Sequence, residues 1–309
     1  MENGWDPGCR PCYDEEAIGK ESLRQRYNQR LSGKDNVLEF IEISISNHCN
    51  LSCKMCNNMA SSRWQSILDQ NENLLRFDFS KNRTKAVSID QLLDSMDLSN
   101  LKEIKYLGGE PFITPELYKL IEKLKTSIDL TKVKFRCNTN CTFFPSKWIP
   151  LLSDFKQIII IFSLDGMDEL CNYIRTGESW QTVSSVINQW MDLSKINNKF
   201  ELAAHTTLQA YNLHQFDSIK KFVQDRKLNF FFKFIQEPSY LTLSCLPREY
   251  IDNLDLHDSM VKDTLSRIAF DLNNFRKFVE YTQEVDQILG TSLENIVPKL
   301  YEFIKTARR

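Results

Sequence analysis

The sequence lacks the long apolar runs and the charge imbalance that mark several classes of protein. Its best apolar stretch, Ile158 to Phe162 with its flanks, is far shorter than a membrane-spanning helix. The formal net charge is −2, which gives no electrostatic footprint for nucleic acid or an anionic membrane. The first residues are polar and include Asp6, Pro7 and Gly8, so no signal peptide is expected. These absences predict a cytoplasmic protein with neither a membrane nor a nucleic-acid partner.

Histidine is scarce, whereas cysteine is not. The four histidines show no metal-binding spacing, but five of the nine cysteines stand in C-x2-C or C-x3-C-x2-C spacings. Without a secretory signal, such spacings favour cofactor ligands over disulfides. Cys49, Cys53 and Cys56 offer three thiolates from one loop. A structural zinc site or a closed cluster needs four ligands, so a [4Fe–4S] cluster on three cysteines leaves one iron open. A zinc site that borrows His48 is the alternative.

Predicted strands and helices alternate between residues 37 and 240. This alternation indicates βαβ units and a parallel α/β sheet, and six units rather than eight predict a partial (β/α)6 TIM-like barrel. Active-site residues of such barrels gather at the C-terminal ends of the strands, and the cysteine loop directly follows the first strand. The strands are predicted at about residues 39–45, 103–107, 132–137, 157–164, 200–208 and 229–235.

Two flanking regions complete the predicted organisation. Residues 1–35 form a short cysteine-bearing segment with one charged helix from about 15 to 31, and residues 36–240 form the barrel. Residues 241–309 form a helical extension whose apolar stripe, from Met260 to Val279, predicts a helix that ends at Gly290. Thr291 with Glu294 predicts a capping box for a last helix.

Two further motifs follow strand ends and, with the cysteines, carry a resemblance to a known family. Gly108-Gly109-Glu110-Pro111 follows the second strand, and Ser163-Leu164-Asp165-Gly166 follows the fourth, with Arg175 shortly after. Together and in this order, they make the stretch from about Val37 to Pro238 resemble the radical S-adenosylmethionine (radical SAM) enzymes. One departure is Met55, which stands where that family often has an aromatic residue.

The resemblance implies a [4Fe–4S] cluster on the three cysteines and SAM on the open iron. In that family an electron from the cluster cleaves SAM, and a 5′-deoxyadenosyl radical abstracts hydrogen from the substrate. The resemblance also implies that Glu110 meets the ammonium group of SAM, Arg175 its carboxylate and Ser163 its ribose or carboxylate. Gly108 and Gly109 lack side chains and let backbone approach the methionine end. Further expected cofactor contacts are Leu51, Met55, Asn138, Asn140, Asp165, Leu208 and Gln209.

A second cysteine pair, Cys9 and Cys12, stands near the start. With the residues that follow, up to Arg24, it resembles the tail of SPASM/twitch-type auxiliary cluster modules, which precede the barrel in a subset of radical SAM proteins. Two thiolates cannot hold a cubane alone, and the sequence begins at Met1, so a half-sized or truncated module is expected. Cys141 or Cys245 can complete the ligand set; the alternatives are zinc, pairing with a second subunit, or an empty pair. No cysteine follows Cys245, so the usual C-terminal SPASM module is not expected.

Two weaker catalytic candidates lie at the same strand ends. Cys141 is a candidate hydrogen-atom donor or extra ligand, and Glu237 a candidate substrate contact. The sequence thus predicts a radical SAM enzyme that acts on a peptide or small-molecule substrate and takes electrons from a reductant such as flavodoxin or ferredoxin. The alternatives are a non-catalytic iron–sulfur electron-transfer protein and a zinc-binding interaction module. The Gly-Gly-Glu motif and Arg175 disfavour the electron-transfer protein, because electron transfer needs neither.

Overall fold

The computed structural model describes residues 10–17, 19, 21–30, 37–82 and 88–306. Its main sheet has six parallel strands in the order β1-β3-β4-β5-β7-β8, so β1 and β8 lie at its two open edges. A small antiparallel sheet pairs β2 with β6. The predicted α/β fold with a partial barrel is confirmed. The strands are β1 (Phe40–Ser44), β2 (Ser52–Cys53), β3 (Glu103–Leu107), β4 (Lys134–Thr139), β5 (Gln157–Ser163), β6 (Arg175–Thr176), β7 (Phe200–Leu208) and β8 (Asn229–Phe234).

Helices connect the strands and continue beyond the last one. No helix in the described ranges is both long and apolar enough to cross a membrane. The helices are α1 (Arg10–Ala17), α2 (Leu23–Arg30), α3 (Ser62–Leu68), α4 (Ile89–Asp94), α5 (Pro115–Ser127), α6 (Ile149–Leu152), α7 (Asp168–Ile174), α8 (Trp180–Ile196), α9 (Phe216–Asp225), α10 (Arg248–Asp252), α11 (Ser259–Arg267), α12 (Leu272–Leu289), α13 (Leu293–Ile296) and α14 (Pro298–Thr306).

The main core lies between one face of the sheet and the helices that cover it. Strand side chains alternate in burial, as in β4, where Phe135 and Cys137 are buried and their neighbours are partly exposed. On α5 the buried residues recur at helical spacing, so one apolar stripe faces the sheet. On the opposite face of the sheet, the buried apolar residues that the structure describes form a small cluster of Ile159, Ile161 and Ala203. That face is therefore open toward the barrel interior.

A second core joins the C-terminal helices to the neighbourhood of the cysteine loop. It contains Trp64 of α3, Tyr173 of α7 and Tyr211 after β7, packed with Phe278 and Tyr281 of α12. Buried members of the predicted stripe, such as Phe275 and Val279, belong to this core, whereas Met260 and Leu272 are exposed.

Three helical predictions were wrong in detail. The helix predicted at 15–31 is two helices, because Gly19 adopts a left-handed backbone (φ 75°) between them. The stripe from 260 to 279 spans α11 and α12, since Asp271 accepts hydrogen bonds from two N–H groups and begins a new helix. The capping box at Thr291 does not form; α13 begins after Ser292, and Pro298 starts a separate α14. Gly290 does end α12, in a left-handed conformation.

Candidate active site

A cavity of about 180 Å³ lies at the C-terminal ends of β3, β4 and β5, and the cysteine loop forms one of its walls. Cys49, Cys53 and Cys56 all line it. The predicted residues that share this lining are Leu51, Gly108, Gly109, Glu110, Asn138, Asn140, Ser163 and Arg175. The structure therefore brings three separate sequence motifs to one place.

Backbone contacts hold the cysteine loop in position. Cys53 pairs with Arg175 in the β2–β6 ladder, and the Lys54 N–H donates to the Ile174 carbonyl at 2.8 Å. The Trp64 indole Nε1 donates to the Cys53 carbonyl at 2.9 Å, and the Cys49 N–H to Ser62 Oγ at 3.1 Å. The loop is thereby fixed from both sides, by α3 and by the strand that follows α7.

Cys53 is buried and Cys49 and Cys56 are partly buried, so burial and contacts between the thiols shift their pKa values. Burial, with Cys53 nearby, raises the pKa of Cys49 to about 11. Cys53 donates a hydrogen bond to Cys56, which raises the pKa of Cys53 and lowers that of Cys56. Bound iron is the expected source of the charge that stabilises all three as thiolates. Within the described ranges, no three His, Cys, Asp or Glu side chains are placed to bind one metal ion together. This does not conflict with a [4Fe–4S] cluster, because each of its cysteines binds a different iron atom.

The two glycines after β3 are packed against the cysteine loop. A β-carbon on Gly108 would overlap the Ser46 carbonyl, and one on Gly109 would overlap the His48 carbonyl. Gly108 also has a φ of 112°, which side chains rarely permit. The N–H groups of Gly109 and Glu110 donate to Ser46 and His48 at 3.1 and 2.8 Å. Glycine is therefore required at both positions because the backbone after β3 lies against the backbone of the cysteine loop. A close approach to a cofactor would be a second reason.

Glu110 is buried at the cavity wall, and its carboxylate has internal donors. It accepts from Thr139 Oγ1 at 2.8 Å, from the Asn140 N–H at 2.7 Å and, at 3.5 Å, from the Phe112 N–H. Burial outweighs these bonds and raises the pKa of Glu110 to about 7. The side chain thus ties the end of β3 to the end of β4 and retains acceptor capacity toward the cavity.

Arg175 contacts both a carboxylate and a cysteine. Its Nη2 lies 2.6 Å from Asp165 Oδ2, and its Nη1 donates to Cys53 Sγ at 3.8 Å. Asp165 is almost fully buried and also accepts from the Thr207 N–H at 2.7 Å, so it links β5, β7 and the guanidinium. Asp165 does not line the cavity. Its geometry indicates that it positions Arg175.

The remaining predicted residues lie outside the cavity lining. Cys141 is in the main core and its Sγ donates to the Thr139 carbonyl at 3.9 Å, while Glu237 is exposed beyond β8. Leu208 is buried in the second core, and Met55 packs at its border. Gln209 is fully buried and neither of its amide atoms has a partner among the described residues.

Two residues of the cysteine loop that hold the site together, Asn50 and Lys54, were missed by sequence reasoning. Asn50 in the cysteine loop accepts from Asn140 Nδ2 at 2.9 Å and donates to Thr142 Oγ1 at 2.9 Å. Lys54, between two cysteines, is completely buried and lies 2.7 Å from Asp286 of α12. No local pattern signals either contact, because each joins segments that are distant along the chain. A charged residue inside the cysteine motif was the available clue for Lys54.

The family model of the radical SAM superfamily matches residues 43–221, more than half of the 309 residues. The chain belongs to the radical SAM superfamily. A [4Fe–4S] cluster and SAM are the cofactors typical of this superfamily. The residues present fit both: three thiols share a cavity with a glycine wall, a buried carboxylate and a guanidinium.

Individual proteins resemble this radical SAM protein at low sequence identity or over only part of its length. It is 32% identical to the GTP 3′,8-cyclase of Campylobacter lari over 97 residues, which are 30% of this chain and 26% of the cyclase. The structure of native anSMEcpe with bound AdoMet is 17% identical, with a TM-score of 0.47 over 82% of this chain and 63% of that one. Streptococcus suis SuiB bound to precursor peptide SuiA is also 17% identical, with a TM-score of 0.43 over 90% of this chain and 59% of that one. The chain spans less than two thirds of each of these proteins.

The N-terminal segment of this radical SAM protein is described in part. Cys9 lies outside the described residues, whereas Cys12 is a partly buried free thiol on α1. Glu16 accepts from Ser22 Oγ at 2.5 Å and is paired with Arg24 Nη2 at 2.5 Å. Within the SPASM/twitch-like pattern, Glu16 thus contacts both Ser22 and Arg24. Cys141 and Cys245, the suggested additional ligands, are each buried, in different cores.

Proposed function

We propose that the chain is a radical SAM enzyme that cleaves SAM reductively at the open iron of a [4Fe–4S] cluster. One observation supports this most directly: the three thiols line the same cavity as the Gly-Gly-Glu motif and Arg175. A cluster that only carries electrons needs no such neighbours. When bound, the cluster and SAM supply one electron and a 5′-deoxyadenosyl group that takes a hydrogen atom from the substrate.

The roles of the chain's own residues follow from their positions. Cys49, Cys53 and Cys56 would hold the cluster, and Glu110 would accept a hydrogen bond from the ammonium group of SAM. Arg175 contacts Cys53 and Asp165, so we propose that it stabilises thiolate charge as well as the SAM carboxylate. Predicted contacts that line the cavity and complete this proposal are Leu51, Asn138, Asn140 and Ser163.

For the substrate we propose a peptide or small molecule with an anionic group, bound on the open face of the sheet. At the middle of β1 and β3 this face is neutralised by pairs such as Lys105–Glu42, at 2.6 Å. Nearer the cavity, His205 neighbours Ser163 across the ladder and its ring lies 5.4 Å from Phe231. Lys233 lies two residues after Phe231 on β8. It is exposed and has no ion pair with any residue that the structure describes. A carboxylate or phosphate beside Lys233 and a flat group over Phe231 would suit this surface.

The test of the proposed activity is anaerobic reconstitution followed by mixing with SAM and dithionite or reduced flavodoxin. We expect about four iron atoms per barrel cluster and formation of 5′-deoxyadenosine. Cys53→Ala should abolish both, whereas Cys171→Ala, which removes a buried thiol outside the cavity lining, should retain both. An intact cluster without 5′-deoxyadenosine would favour the electron-transfer protein, and zinc without iron or sulfide would favour the interaction module.

Substrate binding has a separate test. Addition of a cell-extract ultrafiltrate or of a peptide fraction is expected to accelerate 5′-deoxyadenosine formation. Lys233→Met should abolish that acceleration and leave the slow substrate-free rate unchanged, because Lys233 does not line the cavity. Lys221→Met, on the exposed outer helix α9, is the control. Equal acceleration in wild type and Lys233→Met would exclude the proposed anion contact.

We also propose that Cys9 and Cys12 supply two ligands of an auxiliary cluster. The support is the SPASM/twitch-like pattern and the Glu16–Ser22–Arg24 contacts that follow the pair. Iron and sulfide are measured per chain in wild type and in Cys9→Ala/Cys12→Ala. About eight iron atoms that fall to about four would support the auxiliary cluster, and about four in both would exclude it.

A further inference from the structure

Lys54 lies inside the cysteine motif, yet its ammonium group points into the second core. The side chain has no exposed surface. Its Nζ lies 2.7 Å from Asp286 Oδ1, 3.0 Å from Thr291 Oγ1 and 4.1 Å from the centre of the Tyr173 ring. An ammonium group has three donors, and here each has a partner. A lysine is rarely buried completely without such partners.

Asp286 is held in place independently of Lys54. It lies in the last turn of α12, and its Oδ1 accepts from Thr291 Oγ1 at 2.7 Å. Its Oδ2 accepts from the Leu293 N–H at 2.8 Å and from Tyr173 Oη at 3.4 Å. The carboxylate is therefore a fixed acceptor and not a mobile surface group, so its bond to Lys54 has a defined direction.

A second contact from the same helix reaches the backbone of the same residue. Tyr281 Oη donates to the Lys54 carbonyl at 2.6 Å, and both groups are buried. The Tyr281 ring packs edge-on against Phe77 and beside Tyr240. Helix α12 thus contacts both the side chain and the main chain of Lys54, the residue that follows Cys53 in the cysteine motif.

From these contacts we propose that Asp286 and Tyr281 are positioning residues, which hold the cysteine loop through Lys54 in the conformation that binds the cluster. The proposal rests on the proposed function, because it assigns these cysteines to a cluster. It makes α12 a component of the cluster site, although α12 contributes no ligand and lies outside the matched family region. Loss of the Asp286 contact should make the cysteine loop leave this conformation more often.

The test compares four proteins: wild type, Asp286→Asn, the double variant Lys54→Met/Asp286→Leu, and the control Glu284→Gln. Removing one partner of a buried pair can unfold a protein, and the double variant avoids this by replacing both partners with apolar residues. Glu284 also lies on α12 and forms an ion pair, with Arg76 at 2.7 Å, which does not involve the cysteine loop. The control therefore reports on a charge change in the same helix.

The first readout uses protein without cluster. Anaerobic alkylation by iodoacetamide is followed by mass spectrometry at Cys49, Cys53 and Cys56, with Cys137 of the main core as an internal reference. In Asp286→Asn and in the double variant, alkylation of Cys53 should be at least about tenfold faster than in wild type, with Cys137 and the control variant unchanged. Equal rates at Cys53 in wild type and the double variant would overturn the proposal.

The second readout uses reconstituted protein. A chelator should remove iron from the double variant about tenfold faster than from wild type, and the EPR signal of the reduced cluster should change. A lower melting temperature with unchanged chelation rate and EPR signal would also overturn the proposal, since it would show that the pair only stabilises the fold. Wild type that binds no iron would overturn the proposed function instead, while the alkylation comparison would still decide the role of Asp286.

Discussion

Gly109 is packed against His48: the Glu110 N–H donates to the His48 carbonyl at 2.8 Å, and a β-carbon at position 109 would overlap that same carbonyl. The strand end after β3 and the start of the cysteine loop are thus joined backbone to backbone. Any side chain at position 109 must push the loop away from the cavity that it lines.

Gly109→Ala is therefore expected to remove most of the bound cluster. The methyl group meets backbone atoms, which cannot move aside as a flexible side chain can, so the loop must shift. Iron and sulfide per chain after reconstitution measure the effect. The comparison variant is Gly290→Ala, whose β-carbon meets nothing within 4 Å but whose φ of 66° is unfavourable for alanine. It should lose about 1 kcal/mol of stability and keep its iron. Full iron content in Gly109→Ala would contradict the packing argument.

Glu110→Gln should weaken SAM binding without loss of the cluster. The amide keeps the shape of the side chain but removes the charge that would face the ammonium group, and it replaces one acceptor oxygen of the carboxylate by an NH2 donor. Charge-assisted hydrogen bonds contribute about 1.5–3 kcal/mol, so 5′-deoxyadenosine formation at limiting SAM should fall by about tenfold or more. Glu122→Gln, an exposed change on α5, is the control. Unchanged SAM affinity would mean that Glu110 serves only to join β3 to β4.

Arg175→Lys should retain iron and lower the reduction potential of the cluster. A lysine can keep the ion pair with Asp165 but cannot also reach Cys53, because it lacks the fork of the guanidinium. A hydrogen bond to a cluster sulfur raises the potential, so its loss lowers it. An EPR-monitored redox titration measures the change, with Arg136→Lys, whose partner is Glu103, as the control. An equal or higher potential would exclude a hydrogen bond from Arg175 to the cluster.

His214 should make the protein less stable in mild acid. Its Nδ1 is buried without a partner among the described residues, and burial lowers the pKa of His214 from 6.5 to about 4. Below pH 6.5 the unfolded chain takes up a proton before the folded one does, so the free energy of unfolding falls as the pH drops from 6.5 to 4. The full effect is up to about 3 kcal/mol.

His214→Gln should lose this part of the pH dependence in urea unfolding at a series of pH values. His257→Gln, which changes a side chain that is 71% exposed, should follow the wild-type curve. Parallel curves for wild type and His214→Gln would show that the buried ring is not the source.

The sequence allowed the fold and the position of the site to be predicted because both depend on short patterns. Alternating strands and helices define the sheet, and motifs that directly follow strands must meet at its C-terminal edge. Contacts between distant segments were not accessible in this way. Lys54 and Asp286 are 232 positions apart, and Cys53 pairs with Arg175 across 122 positions.

The wrong prediction of a helix start at Thr291 has a physical reason, because its hydroxyl has other hydrogen-bond partners. Thr291 fits a capping box by its spacing to Glu294, but its hydroxyl instead lies between Asp286 and Lys54. The hydrogen-bond partners of Asp165 and Glu110 could not be predicted either. The sequence shows that a carboxylate is present, but not which groups donate hydrogen bonds to it. The division into three segments remains a prediction, although the second core shows that residues after 241 pack with the cysteine loop.

The contact between Lys54 and Asp286 has a consequence for the order of events during synthesis. A ribosome releases the cysteine loop long before it makes α12, and a nascent chain folds from its N-terminal side. Until position 286 has emerged, Lys54 lacks its carboxylate partner, so the cysteine loop is not held by α12. Maturation with iron and sulfide is therefore expected to follow emergence of α12 from the ribosome, and a stalled chain that ends before α12 should not retain a cluster.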